Sequence, residues 1–201
     1  SITITQQENK QTTIIRSDLD ELVSTGKSLM PEGLEKDLKP EDVADIIFTS
    51  GTTGQPKGVM CSHTQNIRVF DAWATVVGLR HGDRYLIVNP FFHTFGYKSG
   101  WLVSLLRGAT ILPMAVFDAD EVLRRIVDDR ISVLPGPPTL FQSLLANQDR
   151  ARVDVSSLRL AVTGAASVPV SLIERMRSDL GFRTVITGYG LTESTGCVSM
   201  C

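Results

Sequence analysis

Three cysteines and three histidines are all that this chain of 201 residues holds of the usual soft metal ligands. Cys61, Cys197 and Cys201 form neither an even set nor a C-x-x-C pair, and the histidines show no ligand spacing. A disulfide framework and a structural zinc are therefore not expected, and a reducing, cytoplasmic compartment is. No extended run of lysine or arginine exists, and the net charge of −2 with a pI near 5.9 argues against a nucleic-acid partner. No apolar stretch reaches the roughly 18 residues of a membrane span. The first residues, Ser1 to Lys10, lack the basic and apolar regions of a signal peptide, and the missing initial methionine fits either trimming or processing. Internal repeats and low-complexity segments are absent too. The remainder is ordinary globular composition, 42% hydrophobic and 21% charged, enough for one domain or for a slice of a larger one.

The densest chemistry lies in Thr49-Ser50-Gly51-Thr52-Thr53-Gly54-Gln55-Pro56-Lys57-Gly58. Three glycines, four hydroxyls and one lysine follow the apolar run Ala44–Phe48. Glycines let backbone N–H groups approach a ligand closely, hydroxyls add donors, and lysine adds a point charge, which together suit a polyphosphate. The loop is not a Walker A loop, because Lys57 follows Gly54 by three residues and precedes Gly58. An ordinary solvated connection rich in turn residues is the competing reading.

Residues 1–40 are uninformative by comparison. Ile2–Thr5 and Thr12–Ile15 are β-like, Ser17 opens a short helical stretch that Gly26 would stop, and Pro31 to Pro40 reads as a connector. From Asp42 the pattern turns regular. Strand-like runs recur at Ala44–Phe48, Tyr85–Asn89, Ala109–Leu112, Ile131–Leu134, Leu158–Thr163 and Thr184–Thr187. Between most of them stand helix-period stripes: Ile67, Phe70, Trp73, Ala74 and Val77; Val122, Leu123, Ile126 and Val127; Leu140, Phe141, Leu144 and Leu145. Pro138 and Pro169 fit first helical turns, with Ser167 as the N-cap before the second. This alternation implies an α/β fold with a mainly parallel sheet flanked by helices. Ligands bind beyond the carboxyl ends of strands in such sheets, and the phosphate loop, Phe91–Gly96 and Tyr189–Ser194 each follow a strand.

Three stretches in order carry a resemblance. Thr49–Gly58 resembles the phosphate-loop signature of the adenylate-forming superfamily, which comprises acyl-CoA ligases, luciferases and peptide-synthetase adenylation domains. Phe91-Phe92-His93-Thr94-Phe95-Gly96 is similar to its aromatic–histidine motif, and Tyr189-Gly190-Leu191-Thr192-Glu193-Ser194 to its Tyr-Gly-x-Thr-Glu motif. Phe91–Gly100, Leu134–Pro138 and Ala161–Met176 look especially like actinobacterial acyl-CoA ligases, including those acting on bicyclic acids from steroid rings. The resemblance implies ligation in two steps, through an acyl-adenylate and then a CoA thioester, with ATP, magnesium and CoA required. It implies that Thr49, Ser50, Gly51, Thr52, Thr53, Gly54 and Lys57 hold the β- and γ-phosphates. Thr192 would donate to the α-phosphate, and Glu193 would ligate magnesium. Tyr189, between Gly188 and Gly190, would lie along the adenine. Gly164-Ala165-Ala166 matches the small-residue turn lining the nucleotide and acyl pockets, although small residues also suit a plain helix start. The catalytic set is then Lys57, His93, Thr192 and Glu193. The division implied is 1–40 as the tail of a preceding subdomain and 41–201 as the ATP- and acyl-binding subdomain. The family's ribose-binding motif and its C-terminal lysine domain have no match, so this stretch alone is expected to lack full activity.

His93 bears on the substrate. Amino-acid-activating relatives place an aspartate in this motif to hold the α-ammonium group, whereas Phe91–Lys98 has no carboxylate. An unpaired ammonium is costly to bury, so an apolar acid without an α-amino group fits better. Lys98 reads as a solvated charge, His63 as structural, His81 as a surface turn and Cys61 as a small packing residue. An amino-acid adenylation domain, a non-catalytic nucleotide-binding module and an unrelated phosphate-loop hydrolase remain alternatives. Oligomeric state is not legible.

Overall fold

The structure, a computed structural model, describes residues 2–5, 11–14, 39–49 and 55–201. The helix expected after Ser17 and the loop residues Ser50, Gly51, Thr52, Thr53 and Gly54 lie outside the described residues. The chain divides into two units, 1–38 and 39–201. In the first, β1 (Ile2–Thr5) and β2 (Gln11–Ile14) pair antiparallel, Ile2 opposite Ile14.

The second unit opens with a hairpin. β3 (Val43–Thr49) and β4 (Lys57–Ser62) run antiparallel as a two-stranded sheet, with Thr49 opposite Lys57 and Asp45 opposite Cys61. Here the sequence expectation needs correcting. The stretch from Thr49 to Lys57 does not follow a strand of the parallel sheet; it connects two antiparallel strands outside that sheet. Lys57–Ser62 is not readable as a strand from sequence, because Lys57, Gly58 and Ser62 leave only a short apolar core of three residues.

Ser62 then starts α1 (His63–Val77) with a capping box: its hydroxyl accepts from the Gln65 N–H, and its own N–H donates to Gln65 Oε1 at 2.7 Å. Gly78, left-handed at φ 71°, ends the helix. There follow β5 (Arg84–Ile87), the single turn α2 (Thr94–Gly96), a π-helical segment Tyr97–Leu102, and α3 (Val103–Arg107). β6 (Thr110–Pro113), α4 (Ala119–Asp128), β7 (Val133–Gly136), α5 (Pro138–Ala146), β8 (Leu160–Gly164), α6 (Val170–Ser178), β9 (Thr184–Tyr189) and β10 (Ser199–Met200) complete the unit. The sheet order is β10-β9-β8-β7-β5-β6, parallel throughout except for β10.

The strands alternate between two cores. Leu86, Leu134 and Ala161 point to one face, where α4, α5 and α6 supply Val122, Ile126, Phe141, Leu144, Leu172 and Met176. Tyr85, Ile87, Val133, Leu160 and Val162 point to the other, where α1 and α3 supply Phe70, Trp73, Ala74, Val77 and Val103. Burial on both faces explains the unbroken apolar runs of the sequence. Each of the buried Val, Leu, Ile, Phe and Met side chains contributes about 1.5–3 kcal/mol on burial.

Three local expectations also change. Ile67 is half exposed, and Asn66 takes the inward place at that turn because its amide donates to Asp45 Oδ2 at 2.6 Å. Val127, in the last turn of α4, is exposed as well. Pro169, rather than Ser167, stands at the N-cap of α6. A cap at Ser167 would require Val168 to be helical, which the following proline disfavours.

Candidate functional site

The connection from β5 to β6 runs over the α3 face, whereas those from β6 to β7, β8 and β9 run over the α4–α6 face. The chain therefore winds outward in two directions from the neighbours β5 and β7, and crevices open at the carboxyl ends of strands where winding reverses. The segments after β5, β8 and β9 meet there around a cleft.

After β5, Phe91 and Phe92 are exposed and His93 caps α2, its Nδ1 accepting from the Phe95 N–H at 3.1 Å. A neutral His93 so capped carries its proton on Nε2, and the ring lines the cleft. The π-helical turn that follows buries Lys98, Ser99 and Gly100 in succession. Such wide turns are rare and recur at functional sites. The Tyr85 hydroxyl donates to the Ser99 carbonyl from within the core, and burial raises that phenol far above its usual range.

After β8, Gly164 and Ala165 form the cleft wall, and Ala165 has φ 63°, a conformation that costs a non-glycine residue about 1–2 kcal/mol. After β9, Tyr189 and Gly190 lead into a 3₁₀ turn, Thr192–Ser194. The turn closes on itself through Gly196 N–H to the Leu191 carbonyl, 2.8 Å, and Ser194 Oγ to the same carbonyl, 2.9 Å. A Cβ on Gly190 would lie 2.1 Å from the Gly196 carbonyl oxygen, so only glycine allows this closure. Tyr189 is 58% exposed. With Gly188 and Gly190 it borders both the cleft and a second hollow lined by Ala166, Val168 and Ile173.

Lys98 is a correction. It is wholly buried, its ammonium 3.2 Å from Asp45 Oδ1 and 5.8 Å from the centre of the Tyr97 ring. Burial, with the Asp45 carboxylate nearby, pushes the Tyr97 phenol up to about 12. Sequence reading misses this because nothing beside Lys98 along the chain is acidic.

The candidate residues are thus distributed unevenly. His93, Gly164, Ala165, Gly188, Tyr189 and Gly190 line one cleft, and Ala166 lines the hollow beside it. Thr192 is half-buried and Glu193 exposed in the 3₁₀ turn; neither lines the cleft. Thr49 and Lys57 face each other at the hairpin end, with Lys57 exposed. Unforeseen cleft residues are Trp73, Thr94, Ser99, Thr163, Gly196 and Cys197. Trp73 is legible in sequence only as a member of the α1 stripe. Among the described residues the fully buried Thr163 hydroxyl has no hydrogen-bond partner, and burial raises the Cys197 thiol, keeping it neutral. Among the described residues no group of three or more His, Cys, Asp or Glu side chains could hold a metal. An ion resting on protein ligands alone does not fit, whereas magnesium held by one carboxylate, phosphate oxygens and water does. No described helix is long and apolar enough to cross a membrane.

The family model for AMP-binding enzymes matches residues 2–201. The chain belongs to the AMP-binding enzyme family. It is similar to a methyl-dioxo-octahydroindenyl-propanoyl:CoA ligase of Rhodococcus jostii, 56% identical over 164 residues, covering 82% of this chain and 32% of that protein. The ligase of the same name from Mycobacterium tuberculosis is 50% identical over 184 residues, covering 90% and 36%. The chain thus spans about a third of the length of these curated relatives. Among solved structures of family members, the anthranilate CoA ligase AuaEII with anthranoyl-AMP superposes with a TM-score of 0.74 at 29% identity, over 80% of this chain and 31% of that one. The inhibitor-bound N-terminal domain of FACL13 from Mycobacterium tuberculosis gives 0.72 at 32% identity, over 80% and 40%.

Proposed function

We propose that the protein is part of an acid–CoA ligase that activates an apolar carboxylic acid as its adenylate and transfers the acyl group to CoA. The observation that carries this reading is the lining of the cleft. Its described side chains are aromatic, small or hydroxyl-bearing, and no carboxylate or ammonium is among them. An amino acid would bury its α-ammonium there unpaired, which disfavours the amino-acid adenylation reading. A fused-ring or similar apolar acid meets Trp73, Phe95 and Val162 without that penalty. The names of the two similar ligases, each acting on a fused-ring propanoyl group, support this class.

In the first step a carboxylate oxygen of the acid bonds to the α-phosphorus of ATP and pyrophosphate leaves. In the second, the CoA sulfur bonds to the acyl carbon and AMP leaves. Residues 41–201 supply the nucleotide and acid contacts. Thr49, Ser50, Gly51, Thr52, Thr53, Gly54 and Lys57 hold the β- and γ-phosphates, where a lysine and backbone N–H groups offset charge as it shifts to the leaving pyrophosphate. The Thr192 hydroxyl donates to the α-phosphate. Glu193 would hold magnesium, which would supply further charge neutralisation. Tyr189 stacks on the adenine in the hollow beside the cleft, and Gly164, Ala165, Ala166, Gly188 and Gly190 admit the nucleotide by lacking bulk. His93 closes the acid end of the cleft, its Nε2–H free to donate to the reacting carboxylate. A cytoplasmic location suits all three substrates.

Acid-dependent exchange of labelled pyrophosphate into ATP by the full-length protein tests this, over a panel of fused-ring, aryl, medium-chain and amino acids. Exchange fastest with an apolar acid is expected. Faster exchange with any amino acid, or ATP binding without exchange, would replace the proposal with an adenylation domain or a non-catalytic module.

A further inference from the structure

One rung of the β3–β4 hairpin touches the segments of both other motifs. Asp45, on β3, meets the ammonium of Lys98, two residues past Gly96. Cys61, opposite Asp45 on β4, places its Sγ 3.9 Å from Thr195 Oγ1, in the turn that follows Thr192-Glu193. Asn66 of α1 ties to the same carboxylate through its other oxygen, 2.6 Å away. The rung that ends the hairpin, Thr49 opposite Lys57, lies four residues along β3, about 13 Å at strand rise. On the other side of the pair, Ser99, next to Lys98, lines the acid cleft.

A buried ion pair adds little net stability over apolar side chains of equal volume, so its presence is not explained by adhesion alone. It does impose geometry. Two desolvated charges favour one arrangement and penalise any slippage, whereas a methionine against a leucine would tolerate several. Among the described residues Lys98 Nζ and Asp45 Oδ1 have no hydrogen-bond partner beyond this pair and the Tyr97 hydroxyl beside the carboxylate, so the ammonium depends on Asp45 for its countercharge.

We propose that Lys98 is a positioning residue: through Asp45 it sets the hairpin, and with it the Thr49–Lys57 end, in register with the acid cleft. The inference rests on the reading above that this end meets ATP. Lys98 itself touches no substrate; it carries the acid-binding segment's position to the nucleotide-binding one.

The test uses the full-length protein with Asp45→Asn and Lys98→Met combined. This double variant leaves no orphaned buried charge, and the introduced amide oxygen still accepts from Asn66, so the fold survives, as a thermal melt verifies. In pyrophosphate exchange the KM for ATP should rise roughly tenfold or more, the scale of a small misplacement, while the KM for the acid stays within about twofold. Amide exchange of a peptide covering β3 should quicken, with a peptide covering α5 unchanged. A folded double variant with the parent's KM for ATP and the parent's β3 exchange overturns the inference, as does a fall in kcat at constant KM, which reports only a lost active fraction. Should the parent itself show no acid-dependent exchange, the ligase reading fails separately, and β3 exchange alone then decides whether Lys98 seats the hairpin.

Discussion

Gly164 and Gly188 lie side by side at the ends of β8 and β9, so close that a Cβ on Gly164 would stand 2.2 Å from the Gly188 carbonyl oxygen. Backbone meets backbone there, and neither strand can yield without breaking the ladder. Gly164→Ala should therefore cost about 3 kcal/mol or more. A Cβ on Gly188 meets nothing within 4 Å among the described residues, and Gly188 lines the cleft. Gly188→Ala should keep stability within about 1 kcal/mol and raise a substrate KM instead. Urea melts of both variants check the asymmetry; equal losses would contradict it.

Lys57 and Glu193 are both exposed and neither lines the cleft, which suits contact with phosphate and magnesium rather than with the acid. In the full-length protein Lys57→Ala and Glu193→Gln should each slow adenylation by about 10²–10³. Thioester formation from supplied acyl-adenylate should suffer less, since no pyrophosphate leaves in that step. Equal damage to both half-reactions would argue against this division.

The Thr163 hydroxyl is buried at the cleft wall with no partner among the described residues. Its unmet hydrogen bond weighs against the empty protein and becomes available to a bound ligand or water. Thr163→Val keeps the shape, so stability should stay level or rise by about 1 kcal/mol. The KM for the acid should rise about tenfold, the worth of one hydrogen bond of that size. Melting and exchange kinetics on the same sample decide, and an unchanged KM would remove Thr163 from the acid site.

Asp83, 4% exposed, ties together the amino ends of β5, β7 and β8 through Ser132 and Arg159. Burial works to raise its carboxyl, but hydrogen bonds from Arg159, the Arg80 N–H and Ser132 outweigh that and leave it below the usual 3.8. A carboxyl lower in the folded than in the unfolded protein stabilises fully above the unfolded value. That contribution is lost as pH falls below 3.8 and through the folded value. Asp83→Asn should cost about 3 kcal/mol at neutral pH by stranding Arg159. It should also flatten the acid limb of a stability–pH curve from chemical denaturation.

Most strands and helices from Asp42 onward are legible because each depends on neighbours along the chain, whereas β4, β10 and the helical turns at 94–107 carry no such local signal. Apolar runs such as Leu160–Gly164 and stripes such as Leu140, Phe141, Leu144 and Leu145 announce period and burial locally. The three motif segments are legible in the same way, as are the α/β class and the family. Positions that fail are ones whose fate lies across space. Ile67 fits the helical stripe of α1, yet Asn66 is the residue drawn inward, because Asp45 waits there with a carboxylate.

The sequence alone, then, determined the chemistry present and the order of its carriers: a Gly- and hydroxyl-rich loop, a histidine among aromatics, a Tyr-Gly-x-Thr-Glu run, and alternating elements to hold them. Only tertiary structure decided that the loop connects a separate hairpin, that His93 and Tyr189 border one cleft while Glu193 stands outside it, and that Lys98 is buried. The reason is range. Backbone periodicity is set by residues three or four positions apart, but the environment of a lysine is set by whatever packs against it. For Lys98 that is Asp45 on another element, a pairing that no local pattern encodes.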